Sequence, residues 1–180
     1  MTGAAPPELL NLPACGPVSL RAPLQPPRKN LLDVYRLRGV YLGLFREAFD
    51  RVLELEGFEL TPVAGAPEVW EFRNPEAGLR GRLLNVAGYL HPEPVRLSTR
   101  GRAYLITRQD FTLALQFPGL PWRLHLNRTR HKPVALEGRL PYPDDWPREL
   151  VMRAIRVRFR TIVILDEAFL LQQIGLRAPL

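Results

Sequence analysis

Arginine is the residue type in this 180-residue chain whose number and spacing most clearly indicate a binding function. Only Lys29 and Lys132 are lysines, so 23 of the 25 basic residues are arginines. Many arginines occupy alternate positions, and alternate side chains of an extended strand share one face of a sheet. Guanidinium groups pair bidentately with phosphates and stack on bases. The predicted nucleic-acid-binding residues are therefore Arg80, Arg82, Arg100, Arg102, Arg123, Arg128, Arg130, Lys132, Arg156, Arg158 and Arg160.

Aromatic residues near these arginines are candidates for the stacking surfaces that single-stranded nucleic acids use. These candidates are Trp122, Tyr104 and Tyr89. Charge is also segregated along the chain. Residues 79–160 hold 16 basic and 6 acidic residues, a net charge of +10, whereas residues 30–78 hold 5 basic and 9 acidic residues, a net charge of −4. A basic stretch beside an acidic one predicts a molecule with two faces of opposite charge.

These features favour a non-catalytic protein that binds DNA or RNA through an arginine-rich sheet face, with a slight preference for single strands. The alternative is an adaptor subunit of a larger complex, whose basic face meets an acidic protein partner or which uses its N-terminal tail or acidic segment. Nucleic-acid binding requires the arginines on one continuous face with aromatic residues among them. Ion pairs between the arginines and the acidic segment favour the adaptor.

Catalytic alternatives have little support in the sequence. His125 and His131, with Lys132 beside them, could serve a metal-independent nuclease, because histidine exchanges protons near neutral pH. Only their proximity in the chain supports this. Residues 161–169 resemble the hydrophobic strand and acidic pair of a nucleotide hydrolase, but no glycine-rich phosphate loop is present. Cys15 is the only cysteine, so it cannot build a structural zinc site. Because no catalytic motif is found either, we predict no metal site, no cofactor and no catalytic residue.

The first element expected to position these residues is a long N-terminal helix. Asn30 is a suitable N-cap and Gly57 a suitable stop. Between them, apolar residues recur at steps of three and four, the spacing of one helical face. The positions of this stripe are Val34, Leu37, Tyr41, Leu44, Ala48, Val52 and Leu55. The spacing predicts an amphipathic helix over residues 30–56.

After residue 58 the apolar period drops to two, which predicts strands. Polar residues alternate with apolar ones, as expected of an antiparallel sheet covered on one side. The predicted fold class is therefore α+β, with the long helix packed on a curved antiparallel sheet of six to eight strands. A partly closed barrel is the alternative. The strands are predicted at residues 69–72, 83–90, 95–98, 103–107, 111–117, 122–127 and 134–140.

The C-terminal part is predicted to hold two short helices around a last strand. Asp144 or Asp145 caps the first helix, which continues to about residue 155. The strand follows over 157–165 and carries alternating arginines on one side. Asp166 caps the second helix, which runs to Gln173.

Residues 1–29 hold seven prolines and are predicted to form a flexible tail, leaving residues 30–180 as a single domain. The first residues lack the pattern of a signal peptide, and no apolar run approaches the roughly 20 residues that span a bilayer. We therefore expect a cytoplasmic protein with no membrane partner.

Overall fold

The computed structural model describes residues 30–91, 95–108, 111–127, 129–136 and 140–177, with the backbone alone at Arg108. Twelve strands and two short helices form this part of the chain. The strands are β1 (Leu31–Leu37), β2 (Val40–Phe45), β3 (Arg51–Glu54), β4 (Glu59–Val63), β5 (Ala66–Asn74), β6 (Leu79–Asn85), β7 (Arg102–Arg108), β8 (Phe111–Phe117), β9 (Trp122–His125), β10 (Lys132–Val134), β11 (Val151–Val157) and β12 (Arg160–Leu165). The helices are α1 (Val86–Leu90) and α2 (Glu167–Arg177), and 3-10 turns span Arg46–Ala48 and Arg148–Leu150.

The strands form two six-stranded sheets that are built from different parts of the chain. The first sheet has the order β10-β11-β12-β2-β1-β9 and the second has the order β3-β7-β8-β6-β5-β4. The described part of the chain thus begins in the first sheet, completes the second sheet, and then returns to the first. The β2–β12 and β6–β8 pairs are parallel, so the prediction of one antiparallel sheet is wrong. The fold is β-rich rather than α+β.

The long N-terminal helix predicted over residues 30–56 is wrong. This segment forms β1, β2, a 3-10 turn and β3. β1 and β2 make an antiparallel hairpin whose two-residue turn is Arg38 and Gly39, with φ angles of 48° and 82°. Consecutive positive φ angles give short hairpins the twist that their strands require, and Gly39 adopts its angle without steric cost.

The apolar spacing predicted a helix wrongly because both faces of this hairpin are buried. Leu32 and Val34 enter an apolar cluster of the first sheet alone, whereas Tyr35 and Leu37 enter a core shared by both sheets. Members of the supposed helical stripe therefore lie on opposite faces. A strand covered on both sides has a nearly continuous apolar sequence, in which steps of three and four occur as readily as steps of two.

Three apolar clusters hold the two sheets. One lies between the sheets and includes Leu42 and Leu44 from β2 and Leu84 from β6, all with 0% exposure. The other two are each drawn from one sheet and its adjoining loops, with Ile162 in the first sheet and Leu83 in the second. Ile162 and Leu83 have 0% exposure although neither cluster is covered by a further sheet of the described residues. We infer that each sheet curls around its own cluster.

The curl leaves an open seam in the first sheet. β9 and β10 are the two opposite edges of that sheet, yet only residues 126–131 connect them. Among the described strands, β9 pairs with β1 and β10 pairs with β11, but they do not pair with each other. The two edges therefore approach at this connection without closing the sheet into a barrel.

The strand predictions succeeded mainly in the second sheet. The predicted strands at 69–72, 103–107 and 111–117 are confirmed as parts of β5, β7 and β8. The strand predicted over 122–127 is β9, which ends at His125. The strand predicted over 83–90 ends at Asn85, whose side chain accepts a hydrogen bond from the Gly88 N–H at 3.2 Å and so starts α1. Residues 95–98 form no strand. Of the strand predicted over 134–140, Val134 alone among the described residues lies in a strand, as the last residue of β10 (Lys132–Val134).

The helix predicted from Asp144 or Asp145 to about residue 155 is wrong, because Val151–Val157 is β11. The predicted strand 157–165 is also wrong at its start. A two-residue turn, Arg158 and Phe159, separates β11 from β12. The helix predicted after Asp166 is confirmed: the Phe169 N–H donates to the Asp166 carboxylate at 3.0 Å. It continues to Arg177 and packs on the second sheet.

Neither helix in the described part of the chain has the length and apolar content that a membrane crossing requires. The predicted flexible tail, residues 1–29, lies outside the described residues.

Candidate functional site

The predicted arginine-rich face is divided between the two sheets. Arg80 and Arg82 lie on β6, and Arg102 begins β7, so all three belong to the second sheet. Arg82 pairs with Glu71 at 3.2 Å and Arg102 pairs with Glu54 at 3.2 Å. Arg100 lies in the preceding turn rather than on the strand. These four arginines therefore do not extend the basic surface of the first sheet.

Two of the three predicted stacking residues have structural contacts instead. Tyr104 has 0% exposure. The Tyr89 ring lies under the guanidinium group of Arg177, 4.8 Å from its carbon, and this arginine also pairs with Glu68. Trp122 is 36% exposed and is the one candidate with a ring open to a partner.

Tyr104 belongs to a set of polar residues where the two sheets meet, which we name the junction cluster: Asp33, Tyr35, Arg46, Tyr104 and Arg123. The Tyr104 hydroxyl of β7 donates to the carboxylate of Asp33 on β1 at 2.7 Å. Because Tyr104 gives its proton to Asp33, the hydroxyl of Tyr35, 2.7 Å away, donates to Tyr104. A chain of hydrogen bonds thus links the second sheet to the first.

The junction cluster places a buried carboxylate between two arginines. Asp33 is 1% exposed, and its oxygens lie 3.6 Å from Arg46 Nη1 and 3.6 Å from Arg123 Nε. The arginines compensate a charge that would otherwise be costly to bury. Arg123, predicted to bind nucleic acid, is thereby paired with a residue of the acidic segment.

Burial controls the ionisation of the two tyrosines in the junction cluster. Loss of solvation raises the pKa of Tyr35 well above its ordinary value of 10.0. Loss of solvation also raises the pKa of Tyr104, and the neighbouring Tyr35 and Asp33 raise it further. Both hydroxyls therefore stay protonated at neutral pH and act as hydrogen-bond donors.

A second set of residues lines an opening at the seam of the first sheet. This opening has a volume of about 610 Å³, and we name it the seam groove. Its lining residues are Trp122, Leu124, Arg130, His131, Val157, Arg158, Phe159 and Arg160. Leu124 and Val157 pack against the first sheet's own apolar cluster, so the groove opens directly onto a core.

Aromatic rings and guanidinium groups are stacked beside the seam groove. The guanidinium carbon of Arg160 lies 5.0 Å from the ring centroid of Tyr41 and 5.9 Å from that of Trp122. The two rings meet edge to face, with centroids 6.4 Å apart. Phe159, at the tip of the β11–β12 hairpin, is 99% exposed. Such a combination of exposed aromatic and arginine side chains is typical of protein-contact surfaces.

Part of the basic set predicted from the sequence converges here. Arg130, Arg158 and Arg160 all line the seam groove. The prediction that Arg156, Arg158 and Arg160 share one side of a strand is wrong, because they occupy β11, its turn and β12. Lys132 lies opposite Arg156 on β10. Arg128 lies outside the described residues.

Phe159 and Tyr41 were not predicted to contribute to a binding surface. Phe159 falls within the strand predicted over 157–165, and Tyr41 falls within the helix predicted over 30–56. The only sequence signal for the turn was the pair of basic residues, Arg158 and Arg160, on either side of the phenylalanine. That pattern also fits a continuous strand, so it does not identify the turn.

The two histidines considered for acid–base chemistry are not brought together in a catalytic arrangement. His125 is exposed on β9. The Nδ1 atom of His131 accepts a hydrogen bond from the Asn127 N–H at 3.0 Å and so helps to hold the turn before β10. Within the residues that the structure describes, no group of three or more His, Cys, Asp or Glu side chains is placed to hold a metal ion.

These features define a β-rich protein of two curled, packed sheets with an open seam. No family model and no curated protein matches the chain. Eleven chains of solved structures match it. Among them is the scaffolding protein TtCheW from Thermoanaerobacter tengcongensis, with a TM-score of 0.52 and 12% sequence identity, covering 80% of this chain and 88% of that chain. The chain is therefore similar to TtCheW in fold.

The prediction of nucleic-acid binding is corrected by these findings. The matching fold is that of a scaffolding protein, and the predicted arginines are divided between two sheets. Arg102 and Arg123 pair with acidic residues of the segment 30–78, as expected of the adaptor. Arg130, Arg158 and Arg160, in contrast, lie together beside Trp122 in the seam groove. The predicted acidic helix does not exist, so an adaptor must use another surface.

Proposed function

We propose that this chain is a non-catalytic adaptor that binds a protein partner through the surface around Phe159, in the cytoplasm. The observation that carries the proposal is the complete exposure of this phenylalanine at a hairpin tip, beside a groove of arginine and aromatic side chains. The fold shared with a scaffolding protein supports the same function.

The physical argument concerns what an exposed phenylalanine gains from a partner. A buried phenylalanine stabilises a protein by about 1.5–3 kcal/mol relative to an exposed one. Phe159 leaves this stabilisation unused in the isolated chain, and a partner that covers it would recover part of it. Residues that dominate binding at protein interfaces are enriched in aromatic residues and arginine, and both residue types occur here.

The test is site-specific cross-linking in cells that naturally contain the protein. A photoreactive phenylalanine analogue replaces Phe159, and the cross-linked partner is identified by mass spectrometry and purified. The same analogue at Leu176, which is 66% exposed on α2, serves as the matched control. We expect a specific adduct from position 159 only.

Calorimetry with the purified partner then measures the contribution of Phe159. We expect Phe159→Ser to raise the dissociation constant by about tenfold or more, which is the effect of losing an interface hot spot. Leu176→Ser should leave it unchanged. Identical adducts from both positions, or equal affinity for both variants, would contradict the proposal.

A further inference from the structure

We infer that the seam groove takes an acidic segment of the protein partner, with one large apolar side chain of that segment inserted toward Leu124 and Val157. This inference rests on the proposed adaptor function and adds the chemistry of the partner. It identifies the occupant by charge and by shape.

The charge argument comes from the residues that line the groove. Arg130, Arg158 and Arg160 are exposed there, and His131 lies beside them. Among the described lining residues none is acidic. By contrast, the arginines of the junction cluster share a buried carboxylate. A partner that supplies carboxylates would complete the groove as Asp33 completes the junction cluster.

The shape argument concerns the floor of the groove. Leu124 and Val157 are half-buried and continue the apolar cluster of the first sheet outward. The ring of Trp122 borders them and is fixed by its contact with Tyr41. An apolar side chain that enters between them would extend a core that the open seam leaves incomplete.

The groove is not suited to the N-terminal tail of the same chain. Residues 1–29 hold a single acidic residue, Glu8, so the tail cannot supply a carboxylate to each of the three arginines of the groove. A single-stranded nucleic acid would satisfy the arginines and would stack a base on Trp122, but it would leave the aliphatic floor of Leu124 and Val157 unused. The acidic protein segment is the occupant that uses both features.

The experiment uses the full chain and a short synthetic peptide in which one central Phe is flanked by Asp and Glu. Binding is measured by fluorescence anisotropy at low and at physiological salt. Three other probes are compared with this acidic peptide. They are the peptide with Phe replaced by Ser, the peptide with Asp and Glu replaced by Asn and Gln, and a single-stranded oligonucleotide of equal charge. We expect each peptide change to weaken binding by about tenfold or more, and salt to weaken the binding of the acidic peptide.

Matched protein variants assign the binding to the groove. Arg130→Gln with Arg158→Gln should weaken acidic-peptide binding about tenfold or more. Arg51→Gln on β3 with Arg100→Gln in the turn before β7 removes the same charge from exposed positions outside the groove and should leave binding unchanged. Circular dichroism confirms that both variants are folded. Equal weakening by both pairs means that only bulk charge is sensed, which overturns the inference.

The outcomes separate this inference from the proposed function. If the oligonucleotide binds as tightly as the acidic peptide, or if the Phe-to-Ser peptide binds equally well, the acidic-segment inference fails. If the cross-linked partner still depends on Phe159 while no acidic peptide binds, the adaptor function stands and the inference fails. If position 159 yields no specific partner, the proposed function fails as well.

Discussion

The junction cluster and the seam groove both contain arginines and aromatic residues, but they differ in burial and in counter-charge. Each combines arginines with aromatic rings at the surface of the first sheet. In the junction cluster the aromatic hydroxyls are buried and the arginines flank Asp33. In the seam groove the aromatic ring of Phe159 is exposed, and no described lining residue is acidic.

The difference shows that a buried carboxylate, rather than the arginines, decides the role of each region. Asp33 gives the Tyr104 hydroxyl an acceptor and gives Arg46 and Arg123 a counter-charge, so the charges of these residues are balanced within the chain. The second carboxylate oxygen, Oδ1, makes no hydrogen bond within the described residues. The seam groove has arginines, but no described residue of its lining supplies a carboxylate. A sequence count of arginines treats both regions alike, whereas the structure separates them.

The largest expected effect comes from Asp33→Ala, which removes the shared partner of the junction cluster. The Tyr104 hydroxyl would lose its acceptor, and two arginines would lose their counter-charge. We expect the free energy of unfolding to fall by about 3 kcal/mol, measured by urea denaturation, mainly because a buried hydroxyl is left without its charged acceptor. The arginines contribute little, because both are partly exposed to water. Asp144→Ala, at an exposed turn, should stay within about 0.5 kcal/mol. Equal losses from both variants would contradict a structural role for the junction cluster.

A smaller loss is expected from Tyr104→Phe, which removes a single hydroxyl. Asp33 would then lack a donor and Tyr35 an acceptor, both in a buried place, at a cost of about 1–3 kcal/mol. Tyr41→Phe, beside the seam groove, is the matched control and should cost within about 0.5 kcal/mol. Thermal and urea unfolding of the two variants would measure the difference. A greater loss at Tyr41 would reverse the comparison.

Alkaline pH should destabilise the protein through the same two buried tyrosines. In the unfolded chain they ionise near pH 10.0, whereas burial raises the pKa of Tyr35 and Tyr104 in the folded protein. The folded state therefore holds more protons above that pH. Stability contributed by these groups is intact below pH 10 and falls above it, by up to about 1.4 kcal/mol per pH unit for each tyrosine.

This alkaline loss can be assigned with the same Tyr104→Phe variant. Urea midpoints measured between neutral pH and about pH 11 should fall less steeply for the variant than for the unchanged chain. Tyr41→Phe should follow the unchanged chain. An identical pH slope in all three proteins would place the alkaline transition elsewhere in the molecule.

Sequence reasoning succeeded where the determinant of structure is local. Asp166 caps α2 through the amide of Phe169, three residues away, and that signal is legible in the sequence. It failed at β1 and β2, whose burial depends on distant residues. Ile162 of β12 lies so close that a Cβ on Gly43 would meet its side chain at 3.1 Å. A parallel pairing across 120 residues leaves no local periodicity to detect.

The candidate site was predictable to the same limited extent. Trp122, Arg130, Arg158 and Arg160 were selected from their types and do line the seam groove. Their grouping required the curl of the first sheet, which brings its two edges together through residues 126–131. The exposure of Phe159 required the turn that ends β11, and neither feature is encoded by spacing alone.

The smallest expected effect on stability is that of Phe159→Ser. This side chain is 99% exposed, so its loss removes almost no buried apolar area and should change the free energy of unfolding by no more than about 0.5 kcal/mol. Urea denaturation measures this directly. Partner binding, in contrast, should weaken about tenfold or more. A loss of stability beyond 1 kcal/mol, set as roughly twice the surface expectation, would mean that the phenylalanine packs within its own chain. Phe159 would then be packed within its own chain, as Tyr104 is in the junction cluster, and the contrast between the two regions would disappear.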